Sequence, residues 1–277
     1  MRLKPLGLAL AWVLAFLAIG LALTQLLNWW SPSTDSSWWL ARDGGIQAAA
    51  FGVATWGVGR WLNRRSWSDM GWKSDGRGSR GFMLGTACGA AMAGLAIGLA
   101  VLASGARVHV WTLGSRSLPA GGPLMLGVLL AALGEELAFR GYPLSRLADA
   151  VGPAGAAGLS AVLFGAAHLA NPQATVLGVV NIALAGVWLS LAFFSPGGMP
   201  LAWGVHFGWN AALAELFHAP VSGYAFPGPG IHYSPGRYTW LDGGLFGPEG
   251  GLVGTVAIVA GVAIVWRARR VRPGLVA

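Results

Sequence analysis

Apolar residues are grouped into long runs along this chain, and short polar segments separate the runs. Most of the runs approach the roughly 20 residues with which an α-helix crosses a hydrocarbon core. The pattern therefore predicts an all-α integral membrane protein with about eight transmembrane helices, built as one membrane domain over residues 1–277. The runs span approximately residues 6–30, 46–62, 81–103, 121–141, 154–170, 174–194, 200–217 and 251–266.

The first run follows a basic start, Met1-Arg2-Leu3-Lys4, which resembles the start of a signal peptide. Its apolar stretch is longer than the roughly 7–15 residues of such a region, so we expect a retained first helix.

Basic residues are distributed unequally between alternate loops. If the runs cross the membrane in turn, 14 of the 18 Lys and Arg residues lie on one side of it. The four on the other side are Arg42, Arg107, Arg116 and Arg237. Because cytoplasmic loops carry the excess of basic residues, we expect both termini in the cytoplasm of a multi-pass protein of the cell membrane. The net charge of +8 then reflects topology, and no nucleic-acid partner is expected.

Composition agrees with a membrane protein and restricts the possible sites. Charged residues make up 10% of the chain, whereas a soluble domain has about 25%. The single cysteine, Cys88, excludes an intrachain disulfide and argues against a cysteine-based metal site. Residues 218–250 are rich in Gly and Pro and are interpreted as an extracytoplasmic linker. Residues 251–277 are interpreted as the last helix and a basic cytoplasmic tail.

Small residues in the third run predict close helix contacts. Gly85 and Gly89, and again Gly94 and Gly98, are four residues apart and lie on one face of a helix. Such spacing lets two helix backbones approach each other in a membrane.

A pair of glutamates interrupts the fourth run. Glu136 and Arg140 are four residues apart and can pair on one helix face. Glu135 is rotated by about 100° from Glu136, so it is free to face a cavity and act as a general base. The alternative interpretation is an ion-pair network that anchors the end of the helix at the interface.

Histidines and an asparagine lie in the later runs. His168 ends the sequence Phe164-Gly-Ala-Ala-His168, and His206 and Asn210 share one helical face. Two adjacent donors suit an oxyanion hole, although they could equally hold two helices together. Glu215 is expected near the outer interface, in contact with water.

Four buried polar side chains on three helices would each be costly if they were isolated in lipid. One shared pocket for Glu135, His168, His206 and Asn210 removes that cost, and we therefore expect such a pocket.

In these three motifs the chain resembles the CPBP family of intramembrane proteases, also called the CAAX-protease and bacteriocin-processing or abortive-infection family. The resemblance covers roughly residues 55–217. The matching segments are Glu135-Glu136-Leu-Ala-Phe-Arg140, Phe164-Gly-Ala-Ala-His168, His206-Phe-Gly-Trp-Asn210 and the stretch from Arg64-Arg65 to Met70-Gly71-Trp72.

The resemblance implies an intramembrane endopeptidase that acts on membrane-associated protein or peptide substrates in the lipid bilayer. By resemblance, Glu135 activates a water molecule with help from His168, and His206 and Asn210 stabilise the oxyanion. Glu136, Arg140 and Phe164 are expected to support the site.

Metal dependence and the function class stay open at this level. We favour a mechanism without a cofactor, because the chain has no His-Glu-x-x-His sequence. If zinc is bound, Glu135, His168 and His206 are the expected ligands. A non-catalytic membrane immunity or binding protein could use the same pocket to hold a partner peptide. A small-solute transporter is a third possibility, although no internal repeat supports it.

The expected depth of His168 conflicts with that of its proposed partners. Counted from the predicted helix ends, Glu135 and His206 lie about 8–10 Å inside the membrane on the cytoplasmic side. His168 falls nearer the opposite side, unless the fifth run is re-entrant, tilted or begins deeper.

Overall fold

The computed structural model describes residues 3–31, 38–73, 76–111, 121–226 and 230–271. Each predicted apolar run corresponds to a helix in it. The helices are α1 (Leu3–Trp30), α2 (Trp39–Ala54), α3 (Gly78–Ser104), α4 (Gly121–Phe139), α5 (Tyr142–Ala167), α6 (Val176–Phe193), α7 (Gly198–Ala211), α8 (Thr239–Asp242) and α9 (Leu252–Val271). Two of them continue with π-helical geometry, α2 over Thr55–Leu62 and α7 over Ala212–Leu216.

Four helical stretches of the described residues are long and apolar enough to cross a membrane. They are Pro5–Trp30, Gly78–Ser104, Gly121–Ala167 and Val176–Phe193. Their outer faces expose large apolar side chains that lipid would surround. The chain is therefore a helical membrane protein, whereas the eight crossings and the cytoplasmic termini stay predictions. Of the charges used to predict the topology, Arg2, Arg116 and Arg272 lie outside the described residues.

Helices α3 and α7 pack with their backbones in close contact. A β-carbon on Gly89 would overlap the carbonyl oxygen of Val205, and one on Gly85 would overlap the backbone of α7 as well. The prediction of close packing is confirmed for this pair. It is wrong for Gly94 and Gly98, where no other described part of the chain lies within 4 Å of the β-carbon position.

Helix α5 breaks at Gly152 and then packs beside the end of α4. Gly152 has φ 75° and ψ 166°, a conformation open to glycine, and Pro153 has no N–H to continue the preceding hydrogen bonds. Ser160 then donates to the carbonyl of Phe139 at 3.0 Å. His168 follows two turns later, and its Nε2 lies 3.9 Å from Oε2 of Glu135. Because Ser160 lies beside the end of α4, the first turns of the fifth run extend past that end, and His168 comes to lie beside Glu135.

The stretch 218–250 was interpreted from the sequence as a linker, and its described residues, 218–226 and 230–250, are folded against the bundle. Strand β1 (Arg107–Trp111) pairs antiparallel with β2 (Gly230–Ser234), a small sheet that the all-α prediction did not include. Asp242 is fully buried and accepts a hydrogen bond from the hydroxyl of Ser104 at 2.8 Å. A buried carboxylate needs such donors, so this bond fixes the end of α8 to the end of α3.

Candidate active site

A cavity of about 520 Å³ lies between α1, α2, α4, α6 and α7. The four residues predicted as catalytic all line it, and they come from α4, from the residue that follows α5, and from α7. The cavity lining around these four residues consists of Glu135, Phe139, Phe164, His168, His206 and Asn210.

Glu136 and Arg140 form a buried ion pair beside this cavity. Both side chains are 0% exposed, and Nη1 of Arg140 lies 3.1 Å from Oε1 of Glu136. The pairing predicted from the helical spacing is therefore confirmed. The same Oε1 also lies 2.8 Å from Nδ1 of His206, a contact between α4 and α7 that the sequence did not predict.

Phe164 packs against Arg140 and against both histidines. The guanidinium carbon of Arg140 lies 4.1 Å from the centre of the Phe164 ring, a cation–π contact. The ring meets His168 edge-on at 4.7 Å and His206 at 6.0 Å, measured between ring centroids. The ring therefore connects the buried cation with both imidazoles by direct packing.

Glu135 faces the cavity, as its rotation from Glu136 predicts. Its side chain is 26% exposed, and Oε2 lies 3.9 Å from Nε2 of His168 and 3.7 Å from Nε2 of His206. Among the described residues this oxygen has no hydrogen-bond partner. A carboxylate oxygen between two imidazole nitrogens is thus available to bind a proton from substrate or water.

The backbone determines the tautomer of His168. Nδ1 lies 2.7 Å from the carbonyl oxygen of Phe164, and a carbonyl oxygen can only accept. Nδ1 therefore carries a proton and donates it to this bond. In the neutral ring Nε2 then presents a lone pair to Glu135.

His206 is oriented in the same sense by a carboxylate. Its Nδ1 donates to Oε1 of Glu136, so Nε2 points towards Glu135. In the neutral ring this Nε2 accepts a hydrogen bond, and in the imidazolium form it donates one. Asn210 lies one turn further along α7 and lines the same cavity.

Comparison with known proteins identifies a family for the segment that carries this site. Residues 120–212 match the family model of type II CAAX prenyl endopeptidase Rce1-like proteins. This segment, about a third of the chain, is similar to that family. The match covers all three motifs and confirms the resemblance found in the sequence. No curated protein and no solved structure matches the chain significantly.

The donors of this site are spaced somewhat more widely than the ligands of a zinc ion. Two imidazoles and a carboxylate form a set that zinc accepts, with ligand atoms about 3.3 Å apart around a tetrahedral ion. The distances from Oε2 of Glu135 to the two Nε2 atoms are longer, at 3.7 and 3.9 Å. Within the described ranges, no group of three or more His, Cys, Asp or Glu side chains could hold a metal ion. We therefore derive no step through a metal.

The cavity also has carboxylates outside the Rce1-like segment, which the sequence did not single out. Asp43 on α2 and Glu249 before α9 both line it. The signal for Glu249 was an acidic residue in an apolar, glycine-rich setting, Gly247-Pro248-Glu249-Gly250. Glu215, expected to be in contact with water, is half-buried and does not line the cavity.

Proposed function

We propose that the chain is an intramembrane endopeptidase that hydrolyses peptide bonds of membrane-associated proteins or peptides. The family match indicates a CAAX-type intramembrane protease. The observation that supports the residue roles is the position of Oε2 of Glu135, which faces Nε2 of both His168 and His206.

Glu135 and His168 have the spacing to hold the attacking water. A water oxygen about 2.8 Å from Oε2 of Glu135 and from Nε2 of His168 would meet them at an angle of about 90°. This angle is near that between the two O–H bonds of water, so each proton can be donated to one acceptor. The oxygen lone pairs then remain available to attack a carbonyl carbon in the cavity.

The attack forms a C–O bond and transfers one proton. The water oxygen bonds to the carbonyl carbon, its proton passes to Glu135, and the carbonyl oxygen becomes an oxyanion. Protonated His206 and the Asn210 amide donate hydrogen bonds to this oxyanion, which lowers the barrier. Glu135 then returns the proton to the amide nitrogen, and the C–N bond breaks to give a carboxylic acid and an amine.

Glu136 and Arg140 support this chemistry from outside the cavity, and Phe164 packs against both histidines at the cavity wall. Glu136 holds Nδ1 of His206, and Arg140 balances the charge of Glu136 in the buried interior. The pair therefore fixes which nitrogen of His206 faces the cavity.

Cleavage by purified protein in lipid nanodiscs tests this proposal. Substrates are fluorogenic peptides in three forms: free, carried on a transmembrane anchor, and bearing a prenylated cysteine near the C-terminus. Loss of the general base in Glu135→Gln should lower kcat by about 10²–10⁴-fold. Glu215→Gln is the matched control, because this glutamate is on α7's continuation and does not line the cavity.

The outcomes separate the alternatives. Cleavage lost in Glu135→Gln and retained in Glu215→Gln supports the protease, and resistance to a chelator supports a mechanism without metal. Equal cleavage by wild type and Glu135→Gln contradicts the proposal. Tight binding of a peptide that neither protein cleaves favours the non-catalytic binding protein.

A further inference from the structure

Glu249 is a buried carboxylate that lines the same cavity as Glu135. It is 6% exposed, in the short turn Pro248–Gly250 that precedes α9. Its Oε2 accepts a hydrogen bond from Nε1 of Trp209 at 2.9 Å. Its Oε1 accepts from the hydroxyl of Ser222 at 2.6 Å and from the backbone N–H of the same residue. Both oxygens are therefore occupied, so Glu249 is not available as a base.

One arm of this network reaches the turn that carries His168. The carbonyl oxygen of Ser222 accepts from the side-chain amide of Asn171 at 3.0 Å. The backbone N–H of Asn171 in turn donates to the carbonyl of His168 at 3.1 Å. Two hydrogen bonds thus connect the residue held by Glu249 with the backbone of His168.

The other arm reaches α7. Trp209 is adjacent to Asn210 and three residues after His206, so an indole held in place fixes the rotation of this helix about its axis. Glu249 is itself held, because the side-chain amide of Asn181 donates to the carbonyl of Glu249 at 2.8 Å. We call Glu249, Ser222, Trp209, Asn171 and Asn181 the Glu249 cluster.

We propose that Glu249 is a positioning residue that holds the His168 turn and α7 at a fixed distance across the cavity. The inference rests on the proposed function, because it assigns Glu249 the alignment of the water-binding side with the oxyanion side. Glu249 acts through Ser222 and Trp209 and touches no reacting atom. A carboxylate is required because neutral and backbone donors converge on both of its oxygens.

Steady-state kinetics of Glu249→Gln test this role. The variant keeps one oxygen for Ser222 and turns an NH₂ group towards the N–H of Trp209, so two donors face each other. We expect kcat to fall at least about tenfold while KM changes less than about twofold. Trp209→Phe should give a similar loss. Since both changes remove the same hydrogen bond, the double variant should lose little more than either single variant.

Hydrogen exchange of backbone amides gives a second test that needs no substrate. In Glu249→Gln, residues 168–171 and 206–210 should exchange faster together, and in Glu215→Gln neither segment should change. Equal kcat and equal exchange in wild type and Glu249→Gln would overturn the inference. A raised KM with unchanged kcat, or a lower Tm with unchanged kcat of the folded fraction, would also overturn it. Full cleavage by Glu135→Gln would contradict the proposed function instead. The exchange data would then still show whether Glu249 holds residues 168–171 and 206–210 in place.

Discussion

Glu136 and Glu249 are both buried carboxylates beside one cavity, yet they are stabilised in different ways. Glu136 is 0% exposed and is paired with the guanidinium of Arg140, one turn away on the same helix. Glu249 is 6% exposed and is held by a tryptophan N–H, a hydroxyl and a backbone N–H from two other segments.

The difference shows which stabilising contacts are local in sequence. The Glu136 pair is completed within α4, and only His206 reaches it from another helix. The Glu249 cluster exists only when α6, α7, the 168–171 turn and residues 221–224 are all in place. We therefore expect that removing the partner of Glu136 destabilises the fold mainly because a buried charge is left unpaired. Removing a partner of Glu249 should instead leave hydrogen-bonding groups unpaired and shift the segments that they hold.

The largest effect is expected for Arg140→Met. It leaves Glu136 as an unpaired buried charge, so the free energy of unfolding should fall by about 3–5 kcal/mol. Thermal and denaturant unfolding in mixed micelles measure this loss. The double variant Glu136→Leu/Arg140→Met removes both charges and should recover much of the stability. It should stay inactive, since His206 loses its acceptor. An unchanged free energy of unfolding in Arg140→Met would show that the pair does not matter for stability.

The second-largest effect is expected on catalysis, when Asn210 is replaced. Asn210→Leu has a similar volume but cannot donate to an oxyanion, so kcat should fall by about 10²–10³-fold with little change in KM. Cleavage rates at saturating substrate check this. If the loss appears in KM alone, Asn210 binds substrate in the ground state rather than the oxyanion.

A smaller effect on stability is expected in the Glu249 cluster. Asn181→Leu leaves the buried carbonyl groups of Glu249 and Gly251 without the amide that now donates to both. The free energy of unfolding should fall by about 1–3 kcal/mol. This is less than for Arg140→Met, because no full charge is left unpaired. A loss as large as that of Arg140→Met would contradict the comparison.

An effect of similar size, confined to one helix contact, is expected on α3, which packs against α7. Leucine at Gly89 would overlap the backbone of α7 and should cost about 1–3 kcal/mol by overpacking. Gly98→Leu is the matched control on the same helix, and its β-carbon has no described neighbour within 4 Å. Unfolding of the two variants side by side measures the difference. Equal stabilities would mean that α3 can move away from α7 without cost.

Much of the polar chemistry was predictable because it is local. The spacing of Glu136 and Arg140 on a helix brings their side chains together whatever surrounds them, and the adjacent Glu135 must then point elsewhere. Likewise, His206 and Asn210 share a face because they are four residues apart. The apolar runs predicted the helices for the same reason, since a backbone in lipid must satisfy its hydrogen bonds within each segment.

The sequence by itself determined the membrane class, the helices, the pairing of Glu136 with Arg140 and the residues that could form one pocket. Only the tertiary structure decided that His168 lies beside Glu135, through the packing of α5 along the end of α4, and that Glu136 contacts His206. It also decided that residues 218–226 and 230–250 fold against the bundle and bring Glu249 beside Trp209. These features depend on residues far apart in the chain, and the free energy that brings them together comes from packing of whole helices rather than from any local pattern.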